Sequence, residues 1–410
     1  MRRIFCLVAG LLLAITGCGS LQRPVITIAS LSPLRAGSAT DGQAISDGAR
    51  LAVEEQQQTL LQVGYQLRFT ELDDQGDPGV GPGVAVAAAK GDRSLLAIVG
   101  TLDSGVGIPT SEALLPYGLT MVSPANTAVA VTDRTLPDGS PYPNINRIVA
   151  RDDLQGLAAA RFLRYGLGKS TLFVVDDNSG YGRGVADQVV AEAGRLGLTV
   201  VGRACVQAPV QGPDDPGEST LSPRPGGLKC DTLRRAVTRM GQQPPQAVYF
   251  GGLAAEAAIL IKLMRGAGMT APLVSDDGLD TTDWYTAAGA AGDGAYYTTV
   301  AGPVQGTAAG RQWAARFQQR FGHAPESFAA YGYDAAMVVL EALRDYGRRN
   351  PGRTPTRAEL AQLVRQTAGM QGVATQVSFD QKGDNKDARV FLYHYDFSKQ
   401  HYPGVLLGEG

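Results

Sequence analysis

Apolar and polar positions along this chain fall into two alternating patterns. Val25 to Ala29 and Leu95 to Val99 are short, uniformly apolar runs, the pattern of strands covered on both faces. A more mixed run, Leu67 to Leu72, reads as a further strand ending in Asp73-Asp74. Between them the spacing turns helical: Ile45, Ala49, Ala52 and Val53 recur within Ala44 to Gln57, and Gly83 to Lys90 and Ile108 to Leu115 follow suit. A short strand, Leu119 to Val122, comes next. Strand and helix thus alternate through the first part of the chain, which predicts a doubly wound parallel sheet.

The pattern restarts at Ser170. A strand at Thr171 to Val175 leads through the glycine-rich turn Asp176 to Gly184 into a helix, Val185 to Leu196. Strands at Leu198 to Arg203, Ala247 to Phe250 and Pro272 to Ser275 alternate with helices at Leu233 to Met240 and Ala254 to Ala267, so a second sheet is expected. Tyr296 to Val300 is expected to return the chain to the first sheet. Helices at Ala308 to Phe321, Ala329 to Tyr346 and Arg357 to Gln366 follow, and a hairpin from Gln376 to Phe397, turning near Asp380 to Asp384, closes the chain. Trp313, Phe317 and Phe321 are spaced by four, an aromatic stripe that reads as core.

Two hydroxyl-bearing turns stand out. Gly100, Thr101, Asp103, Ser104 and Gly105 leave one strand, and Ser123 to Thr127 leave the next. In an open parallel sheet both lie at the carboxyl ends of adjacent strands, where ligands sit. A helix starting there adds unpaired N–H groups suited to a carboxylate. Ser104 and Thr127 are therefore candidate floor residues of a binding site. The same residue types also serve as a helix cap and a turn closer.

Composition narrows the class. With 410 residues and 44% hydrophobic content the chain holds about two domains, and a net charge of −2 argues against nucleic acid as a partner. Arg2-Arg3 precede an apolar run from Ile4 to Ile15, too short to span a membrane, so residues 1–17 read as a secretory signal. Its end, Ile15-Thr16-Gly17-Cys18, resembles the lipobox of bacterial lipoproteins. That implies lipidation of Cys18 and a tether, 18–23, on the extracytoplasmic face of a bacterial membrane. Cys6 leaves with the signal, so Cys205 and Cys230 remain to pair around a Pro- and Gly-rich excursion, a link worth roughly 3 kcal/mol by chain entropy. A functional thiol pair is the alternative.

Several short stretches, taken in order, resemble the type I periplasmic binding proteins of the branched-chain amino acid family, substrate receptors of ABC importers. They are Leu31-Ser32-Pro33, Asp47-Gly48-Ala49, Leu72-Asp73-Asp74, Ile98-Val99-Gly100 with Ser104, and Val122 to Thr127. Arg147 followed by Asp152 to Gly156, Tyr181 to Gly184, Phe250-Gly251-Gly252, Asp276-Asp277-Gly278 and Tyr333-Asp334-Ala335 complete the series. The resemblance implies an α/β fold of two Rossmann-like lobes joined by a three-strand hinge. Lobe 1 would comprise residues 24–148 and 301–384, and lobe 2 residues 149–300 and 385–410. It implies no cofactor and a membrane permease as partner. It also implies that Ser104, Ala125 and Thr127 hold the carboxylate and amino group of a ligand, with Tyr181 and Asp277 opposite, Asp277 taking the ammonium.

Three positions depart from the family pattern. Asp41 falls where an aromatic residue often covers the ligand, Leu253 stands where a tyrosine is frequent, and Asp103 adds a negative charge beside Ser104. All three bear on which ligand is selected. An enzyme reading would use Gly180, Gly182 and Gly184 as a phosphate cradle, but the dinucleotide spacing, HExxH and G-x-S-x-G are missing, as is a His/Cys metal cluster. A receptor that signals to a partner protein, with the same two lobes and no permease, is the remaining alternative to transport.

Overall fold

The computed structural model describes residues 23–35, 37–206, 230–399 and 402–410. The signal segment and Cys18 lie outside the described residues, as do most of the residues between the two paired cysteines. Both sheets are built on buried strands of the kind the apolar runs announce; β1 (Val25–Ser32) and β3 (Leu95–Gly100), for example, bury almost every side chain.

The first unit runs β1, α1 (Ala39–Gln62), β2 (Gln66–Asp73), α2 (Gly81–Gly91), β3, α3 (Ser104–Leu114), β4 (Thr120–Ser123) and β5 (Ile145–Arg147). Its five strands pair in parallel in the order β2-β1-β3-β4-β5. The second unit continues with α4 (Asp152–Arg161), β6 (Thr171–Asp176), α5 (Gly180–Arg195), β7 (Thr199–Cys205), α6 (Leu233–Gln242), β8 (Ala247–Gly251), α7 (Ala254–Gly266), β9 (Leu273–Ser275), α8 (Thr282–Ala288) and β10 (Tyr296–Thr299). The chain then adds α9 (Ala308–Phe321), α10 (Ser327–Arg349), α11 (Arg357–Arg365), β11 (Met370–Gln371), β12 (Gln376–Val377), β13 (Phe391–His394) and β14 (Val405–Glu409). The second sheet has the order β14-β13-β10-β9-β8-β6-β7, with β13 and β14 antiparallel.

Two expectations are corrected. Tyr296 to Thr299 does not return to the first sheet; β10 pairs in parallel with β9, and the chain crosses back only after it. The hairpin expected over Gln376 to Phe397 is not formed either, because β12 pairs with β11 while β13 joins β10 and β14. Only a single Phe379–Asn385 bridge marks the turn. Pairing partners are set by tertiary contacts, which a run of alternating residues does not encode.

Helices α9, α10 and α11 return to the first sheet. Gly48 of α1 and Gly332 of α10 let these two helices touch backbone to backbone: a Cβ would lie 1.9 Å from the Ala329 carbonyl oxygen at one and 2.3 Å from that of Ile45 at the other. Trp313 and Phe317 are buried in this core, with Phe321 packed at its margin. Cys205 and Cys230 form the expected disulfide at the end of β7. No helix among the described residues is long and apolar enough to cross a membrane.

Candidate functional site

Beyond β3, Gly100 takes φ 145° and passes so close to β1 that a Cβ would lie 2.2 Å from the Leu31 carbonyl oxygen. This turns the chain into α3, which starts at Ser104, earlier than the apolar spacing from Ile108 suggests. The turn after β4 lies against it. Asn126 Nδ2 donates to the carbonyls of Thr101 (3.0 Å) and Leu102 (2.8 Å), and Ser104 Oγ accepts from the Ala128 N–H at 3.1 Å. Ala125 is buried, its N–H directed at Ser123 Oγ.

Arg147, at the end of β5, fixes the second turn from beneath. One guanidinium nitrogen donates to the carbonyls of Asn126, Thr127 and Ala128, and Nε donates to Asp384 Oδ1 at 2.6 Å. Thr127 is wholly buried, and its hydroxyl faces the Asp152 carboxyl.

From the other sheet, α4 begins directly on this turn: the Asp152 N–H donates to the Thr127 carbonyl at 2.9 Å. Gln155, one turn along, donates from Nε2 to Asp152 Oδ1 (3.2 Å) and to Asp277 Oδ1 (2.5 Å). Tyr181 donates its hydroxyl to the same Asp277 oxygen at 2.8 Å and accepts from the Gly278 N–H. The buried Asp152 carboxyl also faces the Thr127 hydroxyl from the other side of the seam. The structure therefore joins Ser104, Ala125 and Thr127 to Tyr181 and Asp277 through Asp152 and Gln155.

Helix α5 starts at the same seam. It begins at Gly180, five residues before the expected Val185, with Ser179 Oγ capping the Gly182 N–H. A Cβ on Gly180 would lie 3.5 Å from Gly105 Cα, so the first turns of α3 and α5 nearly touch across the two units.

Acids outnumber bases here. Burial, reinforced by the charge of Asp277, pushes Asp152 up to about 7. Asp277 is also raised by burial, against the opposing hydrogen bonds from Gln155 and Tyr181. Asp103 rises to about 7 through burial and the charges of Asp74 and Asp177, and Glu256 to about 7 through burial and Asp177. Asp41 is raised well above its ordinary value by burial and then by Glu326 and Asp280. Arg147 is already committed to Asp384. Such a seam favours a partner that brings positive charge.

Beside this floor lies a cavity of about 310 Å³, lined from one unit by Asp41 and Leu102 and from the other by Leu253, Glu256, Gly278 and Thr281. Asp41 and Leu253 thus share it. Tyr181 and Asp277 reach it through Gly278; Ser104, Ala125 and Thr127 are buried without lining it, and Asp103 lies at the start of α3. Among the described residues, no group of His, Cys, Asp and Glu is arranged to hold a metal ion.

A family model described as periplasmic binding protein matches residues 25–400. The chain belongs to that family. The Leu/Ile/Val-binding protein homolog 2 of Brucella abortus (strain 2308) is 26% identical over 383 residues, 93% of each chain. Among solved structures, the leucine-binding protein LivK of Thermotoga maritima has a TM-score of 0.77 at 22% identity, covering 94% of this chain and 98% of that one. The branched-chain amino acid transporter substrate-binding protein LivJ of Streptococcus pneumoniae, in complex with isoleucine, has a TM-score of 0.75 at 19% identity, with the same coverage.

The periplasmic binding protein fold explains the seam: two α/β lobes meet there, and the family binds solutes and does not carry out catalysis. Asp152 and Gln155 are the residues that sequence reasoning did not single out. Acids in the first turn of a helix ordinarily complement its dipole, which hides Asp152. The available signal was their spacing of three, which places both on one helix face.

Proposed function

We propose that this periplasmic binding protein captures an amino acid, or a similar small zwitterion, between its lobes and delivers it to an ABC importer, anchored by lipid on Cys18. Lobe 1 comprises 24–148 and 301–384, and lobe 2 comprises 149–300 and 385–410. The ligand carboxylate sits at Ser104, Ala125 and Thr127, against the start of α3. The ammonium sits at Asp277, with Tyr181 and Asp152 beside it.

The observation that carries this reading is an excess of buried acid at the seam. Asp152 and Asp277 lie together beside Thr127, with Gln155 and Tyr181 as neutral partners, and burial raises both carboxyls. A ligand ammonium supplies the positive charge that those neutral partners do not. Charge-assisted bonds of roughly 1.5–3 kcal/mol each make micromolar affinity, about −8 kcal/mol, attainable. The names of the Brucella and Streptococcus relatives point to the same ligand class.

The test is calorimetric titration of the signal-free chain with a panel of amino acids, alongside Asp152→Asn and Asp277→Asn. Loss of binding in both variants at unchanged melting temperature is expected. Wild-type affinity in both would remove the ammonium role.

A further inference from the structure

We propose that the ligand carries a second cation at the end of its side chain, received by Asp41 and Glu256. This rests on the amino-acid reading above and adds the class of side chain. Gly278, on one wall of the cavity, follows Asp277 in the chain and donates to the Tyr181 hydroxyl, and Leu102, on the opposite wall, accepts from Asn126, so the cavity adjoins the proposed carboxylate and ammonium seats.

Its walls are of two kinds. Leu102, Leu253 and Ala287 offer apolar surface, whereas Asp41, Glu256 and Asp283 bring three carboxyl groups and no Lys or Arg lines it among the described residues. An alkyl stem with a charged tip matches that layout, since such side chains lay their methylenes on apolar surface and direct only the head group to polar partners.

Asp41 supplies the independent sign of a missing counter-charge. It is only 9% exposed, lines the cavity, and its Oδ1 makes no hydrogen bond of normal geometry. Thr281 is a neutral hydrogen-bond partner, and the leading charged groups acting on it, Glu326, Asp280 and Asp283, are all acids. Glu256, equally buried, faces Asp177. An aliphatic side chain would seal these carboxyls away from water with nothing opposite them, whereas an ammonium or guanidinium supplies several donors at once.

The experiment compares L-lysine and L-arginine with L-norleucine, which keeps the lysine stem without its nitrogen, by titration calorimetry on the wild-type signal-free chain at neutral pH. Asp41→Asn, Glu256→Gln and the double variant follow, with melting temperature as a folding check. Lysine or arginine binding at least 100-fold tighter than norleucine, with the double variant narrowing the gap tenfold or more, is the expected result. Norleucine or leucine binding as tightly as the cations overturns the second-cation assignment and leaves the amino-acid reading intact. A preference for cations that survives in the folded double variant overturns the assignment to Asp41 and Glu256. Failure of every amino acid to bind overturns the amino-acid reading and this inference with it.

Discussion

Arg147, fully buried at the end of β5, donates from Nε to Asp384 Oδ1 at 2.6 Å across 237 residues of sequence. The same carboxylate accepts from Thr132 and from Arg151, so it ties together residues on either side of β5. Arg147→Ala leaves buried Asp384 with Arg151 but without its closest cation, and takes the guanidinium donor from the 126–128 carbonyls, of which Thr127 keeps the Asp152 N–H. A loss of about 3–5 kcal/mol in urea unfolding is expected. Arg147→Met combined with Asp384→Leu should recover part of it, because both charges are then gone. A double variant as unstable as the single one would show that the carbonyl contacts, and not the ion pair, dominate.

Thr127 gives a prediction for both folding and binding. Thr127→Val keeps the shape and removes the hydroxyl that faces the Asp152 carboxyl, so the ligand-free protein should lose about 1 kcal/mol in chemical denaturation. Ligand affinity should fall tenfold or more, equivalent to about 1.4 kcal/mol. Chemical denaturation and calorimetry on the same preparation check both halves.

The raised acids set a pH dependence. Asp103 and Asp152 rise from 3.8 and Glu256 from 4.5 to about 7, burial leading in each case. Between those limits the folded chain keeps protons that the unfolded chain releases, so stability falls as pH rises from about 4 toward about 7. Burial would raise Asp384 too, but Arg147, Thr132 and Arg151 hold it below 3.8, so its contribution is lost only in stronger acid. Melting temperature of the ligand-free chain should therefore decline between about pH 4 and about pH 7, while the shift produced by a cationic ligand grows. A flat profile would mean these carboxyls titrate normally.

Gly180 tests closure. A methyl group there meets Gly105 at ordinary contact distance, so Gly180→Ala should bind as wild type. Gly180→Leu inserts bulk where the first turns of α3 and α5 approach. It should weaken binding tenfold or more and enlarge the ligand-bound radius of gyration in solution scattering, with melting temperature of the free chain unchanged. Equal affinity in the leucine variant would count against closure at this seam.

Much of the architecture was legible because burial on both faces writes itself as an apolar run: Leu95 to Val99 lies within β3, and Ala308 to Phe321 coincides with α9. What was hidden had other causes. Gly180 to Gly184 looks like a loop, yet it is the first turn of α5, where Gly182 passes so near β8 that a Cβ would lie 2.4 Å from the Gly251 carbonyl oxygen. The pairing of β10 with β9 and β13 depends on partners far along the chain. At the site, Ser104, Thr127, Tyr181 and Asp277 could be picked out by resemblance, but the bridging job of Gln155 exists only once α4, α5 and the turn bearing Asp277 are brought together.

Three residues separate Ile148, where the proposed lobes join, from Asp152, whose N–H is fastened to Thr127. In that reading pivot and grip share one short piece of backbone. Substitutions along residues 148–151 should register as changes in ligand affinity without touching any ligand, and a screen for specificity mutants would return them alongside genuine pocket residues.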